Sequence, residues 1–154
     1  MKRNINLIHL SREHHFGLLC SWKVREGVKL GIDYHRIKAY INYFWTAHLS
    51  PHFITEDLAF ESVNQINALA VMQQEHLEIK QLITLINESE NSDLLLQFAD
   101  ALQHHIRFEE REFFTNLEQN LSDLELAEIG LKLQKCVVAK TDDYADEFWN
   151  RNPK

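Results

Sequence analysis

The chain has 154 residues, a net charge of −7, and 45% hydrophobic residues. This length fits one domain with its own core, and the hydrophobic content excludes a disordered chain. The negative charge opposes binding to nucleic acid or anionic membrane, and no stretch approaches the roughly 20 apolar residues of a membrane span. With only 4 Gly and 2 Pro, the composition favours helices over a sheet, which would need more turn residues.

The cysteines and the N-terminal residues predict where the protein resides. Cys20 and Cys136 are too few for a disulfide framework and indicate a reducing compartment. The first residues lack the apolar block of a signal peptide. We therefore expect a cytoplasmic protein with inert core thiols, folded as a single domain over residues 1–154.

Helical periodicity predicts five helices in chain order. The first covers about residues 7–26, and the second begins after Asp33, which we expect to cap it. Pro51 lies inside the second helical pattern and should kink it beside His52. A third helix is predicted over about 63–87 and a fourth over about 93–119. Ser122 and Asp123 then start a fifth helix that reaches towards Trp149.

Long helices, short links and the lack of a candidate strand predict an all-α fold. The favoured architecture is an up-down-up-down four-helix bundle over about residues 5–120, with an additional C-terminal helix over about 122–150. Whether that last helix closes the bundle or forms a homodimer interface stays open.

One short pattern occurs on both the second and the fourth helix. Each copy has a histidine, a glutamate one turn later, a second acidic residue and an aromatic residue: His52, Glu56, Asp57 and Phe60, then His105, Glu109, Glu110 and Phe113. Residues i and i+4 share a helix face, so an imidazole and a carboxylate can reach one ion. Because apolar residues flank both copies, unpaired glutamates there would be costly. The pattern predicts an interior metal site, and exposed ion pairs are the alternative.

Histidines on the other two helices can complete this site. His76 lies near the apolar face of the third helix. On the first helix, apolar residues three, four and seven positions after His15 favour it as the inward-facing ligand, with its neighbour His14 kept open. His48, one turn before His52, is either a group behind the ligands or a substitute ligand.

The remaining histidines carry less information about the site. His9 and His104 are expected to lie at the surface, and His35 lies too far along the helix from His52 to join the site. No histidine has a glutamate three residues before it, so the Glu-x-x-His pattern of ferritin-like carboxylate proteins is absent.

This ordered set of motifs resembles the hemerythrin-like domain, the HHE cation-binding family. The resemblance covers residues 5 to about 118 and rests on Leu10–His15, His52–Asp57, Glu75–His76 and His105–Glu110. It implies a four-helix bundle that holds two non-haem irons. By this resemblance, Glu56 and Glu109 bridge the irons together with an oxo or hydroxo group. His15 and His52 would then serve one iron, and His76 and His105 the other. The ligand types alone would also admit manganese or zinc.

The sequence departs from the oxygen-carrying members of that family. Those have a His-x-x-x-His pair on the third helix and an Asp five residues after the histidine of the fourth. Here Lys80 follows His76 by four residues, and we expect its side chain to point outward. This variant resembles the iron-sensing and stress-response members, and it implies more open coordination positions.

Three functions are compatible with these sequence features. The favoured one is a di-iron protein that binds or senses O2, NO, iron or redox state, with a small diatomic molecule as its partner. The second is a stress-response enzyme that reduces NO or repairs iron–sulfur clusters. The third is a metal-free helical module whose C-terminal helix recruits another protein.

Overall fold

The computed structural model describes residues 2–135 and 141–151, and all regular structure in these ranges is helical, as predicted. The helices are α1 (Ile8–Lys29), α2 (Tyr34–Phe44), α3 (Ser50–Phe60), α4 (Ala68–Glu88), α5 (Ser92–Phe108), α6 (Phe114–Asn120) and α7 (Asp123–Leu133). Across the described ranges, no helix is long and apolar enough to cross a membrane.

Two of the long helices contain a π-helical turn. α2 continues through Trp45–Leu49 into α3, and α5 continues through Glu109–Phe113 into α6. Pro51 lies two residues after the end of the first of these turns, in the first turn of α3. A π-helical turn shifts the hydrogen bonding by one residue, which is one way in which a helix accommodates a proline. The sequence predicted an irregularity at Pro51, and the structure has the π-helical turn Trp45–Leu49 there. The second π-helical turn, Glu109–Phe113, contains no proline and was not predicted.

Side chains cap the helices where the sequence indicated. Asp33 accepts a hydrogen bond from the backbone N–H of His35 at the start of α2. Ser122 and Glu125 form a reciprocal capping box at the start of α7. These caps supply partners for backbone N–H groups that a helix leaves unpaired at its first turn.

The first and the last long helices make contacts in opposite sequence directions. Between α1 and the helix formed by α5 and α6, the contacts pair Arg3 with Glu118, His14 with Glu110, and Arg25 with Asp100. Residue numbers rise on one helix as they fall on the other, so the two are antiparallel. Gly17 allows a close approach here, because a Cβ at this position would lie 2.5 Å from Cδ1 of Ile106.

The apolar core has two clusters with buried polar residues between them. The first contains Ile37, Tyr40, Phe44, Phe98, Leu102 and Ile106, and the second contains Leu10, Phe60, Met72, Phe113, Phe114 and Ile129. On α4, for example, His76 lies between Met72 of the second cluster and Ile79 of the first. The polar residues therefore lie between the two apolar clusters, which shield them from solvent on both sides.

The C-terminal helix is shorter than the predicted range of about 122–150, so that prediction was wrong. α7 ends at Leu133, and residues 141–151 contain no helix. Phe148 packs on Gly27 and on the ring of Tyr40, and Trp149 also contacts Tyr40. Burial of these aromatic rings outweighs local helical preference. Cys136 lies outside the described residues, whereas Cys20 is buried, and burial raises the pKa of its thiol.

A buried ion pair fastens the C-terminal segment to α1. Nζ of Lys23 lies 2.8 Å from Oδ2 of Asp142, and the two side chains are only 6% and 2% exposed. The hydroxyl of Tyr40 donates to the same carboxylate oxygen. Asp142→Ala would leave the ammonium group buried without its counter-charge, so we expect a loss of about 3 kcal/mol of unfolding free energy. Urea denaturation measures this, with the exposed neighbour Asp143→Ala as a control that should change little.

Candidate metal centre

Six buried side chains from all four long helices converge between the two apolar clusters. His14, His52, Glu56 and Glu109 form one group whose ligand atoms lie within 4.8 Å of one another. Glu56, His76, His105 and Glu109 form a second group that meets the same limit. Glu56 and Glu109 belong to both, so the two groups are adjacent and share their carboxylates. We refer to these six residues as the metal centre.

Hydrogen bonding inside the centre is incomplete. Within the described part of the chain, the Nε2 atoms of all four histidines and both carboxylate oxygens of Glu56 and Glu109 are buried without a hydrogen-bond partner. They nevertheless lie close together: Nε2 of His52 is 3.1 Å from Oε1 of Glu56, and Nε2 of His76 is 3.3 Å from that oxygen. Buried polar atoms without partners are costly. Cations between the imidazoles and carboxylates would satisfy all of these atoms, so the residues fit a two-metal site.

Each of the four imidazoles also contacts another carboxylate through its Nδ1 atom, on the side of the ring away from the shared glutamates. The Nδ1 atoms contact Glu110 at 2.7 Å for His14, Glu13 at 2.5 Å for His52, Asp57 at 3.0 Å for His76, and Glu75 at 2.9 Å for His105. For His52, His76 and His105, the carboxylate comes from the preceding long helix. For His14 on the first helix, it comes from the last long helix. This contact fixes the ring and leaves Nε2 free, as in carboxylate–histidine–metal arrangements.

Aromatic rings limit the motion of two of these imidazoles. Phe53 stacks on His76 with 3.9 Å between ring centroids, and Phe114 is parallel to His14 within 7°. Phe53 also meets the edge of His105. The ligand set is therefore held in place before any ion binds, which reduces the cost of ordering it.

The buried charges shift the ionisation of the centre in the metal-free protein. Burial disfavours the imidazolium of His105, but neighbouring carboxylates, with Glu109 foremost, outweigh this and raise its pKa to about 10. The pKa of His52 is likewise raised, against burial, by its carboxylate neighbours. Burial also opposes ionisation of Glu56, yet the charge of His52 and the contacts with Glu109 and His76 hold the pKa of Glu56 well below its usual range. Burial and the charge of Glu56 raise the pKa of Glu109.

These shifts predict that metal binding releases protons. A metal ion needs a neutral imidazole nitrogen, whereas the raised pKa of about 10 keeps His105 protonated at neutral pH without metal. Apparent metal affinity should therefore rise with pH through the neutral range. Calorimetry in buffers of different ionisation enthalpy measures the protons released, and equal affinity at pH 6 and pH 8 would contradict the prediction.

The structure brings together five of the six side chains named from the sequence, and it corrects the sixth. His15 is exposed and belongs to neither group, whereas His14 is buried within the centre. The residues taken as the inward stripe of α1 include Leu18 and Trp22, which are 39% and 49% exposed. The face that is buried carries small residues such as Gly17 and Cys20 instead, so large apolar side chains gave the wrong helical phase.

The other polar residues near the motifs lie as follows. Lys80 is exposed, in agreement with the outward direction expected for it. His9 and His104 have side chains 58% and 75% exposed, as predicted for surface positions, and the side chain of His35 is 55% exposed. His48 is buried but belongs to neither group of ligand atoms.

The carboxylates behind the imidazoles were not predicted, although the sequence contains a signal for them. Glu13 and Glu75 each directly precede a histidine of the centre, in the dipeptides Glu13-His14 and Glu75-His76. This second repeat favours His14 over His15, because it places equivalent residues on α1 and α4. Asp57 and Glu110 are the second acidic residues of the repeat that was recognised.

One of these outer carboxylates gives a test of its role. Glu75→Ala removes the partner of Nδ1 of His105, and we expect metal affinity to fall roughly 10- to 100-fold with little change in fold. Competition with a chelator of known affinity measures the change. Glu78→Ala, at an exposed position on the same helix, is the control. Equal affinity in both variants would show that Glu75 does not support the centre.

A small cavity opens beside the centre. Its volume is about 20 Å³, and its lining includes His14, His52, His105 and His48. The remaining lining is mainly apolar. A water molecule needs about 10–15 Å³ by this type of measure, so the cavity has room for a very small molecule.

An all-helical protein with two buried, carboxylate-sharing His/Glu groups belongs to the class of helical cation-binding proteins. The family model described as the hemerythrin HHE cation-binding domain matches residues 8–117, and the chain belongs to that family. Comparison with curated proteins gives no match, and neither does comparison with solved structures.

Proposed function

We propose that this protein holds two non-haem irons and uses them to bind or sense a small diatomic molecule such as O2 or NO. In this proposal His14 and His52 serve one iron and His76 and His105 the other, while Glu56 and Glu109 are shared. The main support is the convergence of buried histidine and glutamate atoms that lack any hydrogen-bond partner. The up-down-up-down bundle is part of the proposal, supported by the antiparallel contacts between α1 and the helix formed by α5 and α6.

We propose iron because the motifs resemble those of the hemerythrin-like family, since the donor set by itself accepts more than one metal. Mixed imidazole and carboxylate ligation suits iron, and manganese and zinc are the competitors. A bound iron pair would supply electron transfer and open positions for a small ligand. The chain itself contributes the sealed apolar surroundings, the fixed imidazoles and the exclusion of bulk water.

The cavity supports a diatomic partner rather than an organic substrate. At about 20 Å³ it accepts one very small molecule beside His14, His52 and His105. This observation favours binding or sensing over catalysis on a larger substrate. We also propose a cytoplasmic location, because the two cysteines are too few for a disulfide framework.

Metal analysis and absorption spectroscopy test the proposal directly. Protein purified without chelator should contain two irons per chain by mass spectrometry, with near-ultraviolet absorption that dithionite bleaches. Addition of NO to the reduced protein should then give a stoichiometric complex. Continued consumption of NO in the presence of a reductant would instead favour the stress-response enzyme that reduces NO. Zinc alone or no metal, even after anaerobic reconstitution with ferrous iron, would contradict the proposal and favour a metal-free helical module.

A further inference from the structure

His48 is buried at the cavity beside the metal centre but has no role in the centre itself. It lies in the first π-helical turn, is 3% exposed, and lines the cavity together with His14, His52 and His105. Neither of its ring nitrogens has a hydrogen-bond partner in the part of the chain that the structure describes. The backbone of Thr141 lies close enough to raise the pKa of His48, but without the geometry of a hydrogen bond.

Aromatic residues fix the imidazole of His48 in place. Its ring stacks on Phe44, with centroids 4.8 Å apart and planes 17° apart. Phe16 and Tyr43 contact it at centroid distances of 5.4 and 6.2 Å. The four imidazoles of the centre differ from it, because each has a carboxylate at Nδ1 and directs Nε2 to the shared glutamates. His48 therefore has a defined position without a defined polar partner.

Burial also sets the protonation of this residue. It lowers the pKa of His48, so the ring is neutral at neutral pH and carries one N–H donor and one acceptor nitrogen. A buried donor without a partner costs roughly 1–3 kcal/mol. A molecule in the cavity that accepts a hydrogen bond would remove this cost.

The remainder of the cavity offers little else to a polar ligand. Its apolar lining is Gly17, Phe44, Leu49, Phe53, Leu102 and Ile106. Among the polar lining residues, Glu13 is bonded to His52, and the other histidines belong to the centre. Among the described residues, His48 is thus a polar group at the cavity that neither the metal centre nor another side chain engages.

We propose that the imidazole of His48 donates a hydrogen bond to the small molecule bound in this cavity, and so favours ligands whose atoms accept one. The inference rests on the proposed di-iron function, and it defines the ligand class further as a diatomic whose atoms accept a hydrogen bond. His48 is here a ligand-binding and specificity residue, not a metal ligand. No covalent step is involved.

The test compares NO complexes of the reduced protein in wild type, His48→Leu and His48→Gln. Leucine fills the space without a donor, whereas glutamine retains an N–H. His35→Leu, at an exposed position paired with Glu90 and away from the centre, controls for the loss of a histidine. We expect NO to dissociate about tenfold faster from His48→Leu, which corresponds to one hydrogen bond of about 1.4 kcal/mol. The N–O stretch should shift in the same variant, with glutamine restoring part of both changes.

Iron content, measured on every variant, separates the outcomes. If wild type holds no iron, the proposed function itself fails. If wild type and His48→Leu both hold two irons and release NO at the same rate, the function stands and the role of His48 is wrong. Loss of iron in His48→Leu would also overturn the inference, because it would make His48 a ligand or a structural support of the centre. An N–O stretch in wild type that is the same in H2O and D2O would contradict it without any variant.

Discussion

Glu56→Ala and Glu109→Ala should each remove most of the metal bound by the protein. Both carboxylates belong to both groups of ligand atoms, so the loss of either affects two ions rather than one. The substitution also leaves imidazoles without the opposite charge that they face in the folded protein. Mass spectrometry of metal per folded chain, after reconstitution with ferrous iron, measures the result.

The controls separate loss of ligation from loss of fold. Glu112→Ala lies three residues after Glu109 at an exposed position and should retain the metal content of wild type. Glu56→Gln and Glu109→Gln keep the side-chain volume, so circular dichroism close to that of wild type with reduced metal would assign the loss to ligation. Retention of two irons per chain by both alanine variants would rule out the shared-carboxylate centre.

Removal of metal should lower the melting temperature by about 10 °C. Metal that binds only the folded state at a thousand times its dissociation constant adds about 4 kcal/mol of stability, and each kcal/mol corresponds to roughly 2–4 °C for a chain of this size. Chelation returns the buried Nε2 atoms and carboxylate oxygens to a state without partners. Calorimetry before and after chelation measures the change.

The glutamate variants provide the control for this second experiment. Glu56→Ala should melt at the same temperature with and without chelator, because it has little metal to lose. Readdition of ferrous iron should restore the higher melting temperature only in proteins with the intact centre. An unchanged melting temperature in wild type, after iron removal verified by mass spectrometry, would argue against an interior site.

Helix periodicity predicted the all-helical fold because the long helices carry strong apolar patterns and clear caps. Asp33 and Ser122 both cap helices where the sequence placed them. The C-terminal residues show the limit of such patterns. Apolar spacing suggested a helix up to Trp149, whereas Phe148 and Trp149 pack on α1 and α2 in a segment without helix. That packing depends on Gly27 and Tyr40, which are far away in the sequence.

The first helix shows why one ligand position was predicted incorrectly. Periodicity ranks faces by large apolar residues, and it assigned Leu18 and Trp22 to the interior although both are substantially exposed. The interior face carries Gly17, which allows close approach of Ile106. Small residues at a close helix contact contribute little to an apolar pattern, so the error of one residue moved the prediction from His14 to His15.

The sequence by itself determined the chemistry of the centre, because the repeated histidine and glutamate pairs lie one helical turn apart and local helix geometry puts each pair on one face. It also carried the family resemblance that the match to residues 8–117 confirms. Only the tertiary structure decided which histidine of α1 faces inward, which carboxylate supports each imidazole, and where His48 meets the cavity. Those features depend on the rotation and spacing of one helix against another, which packing sets across long separations in the chain.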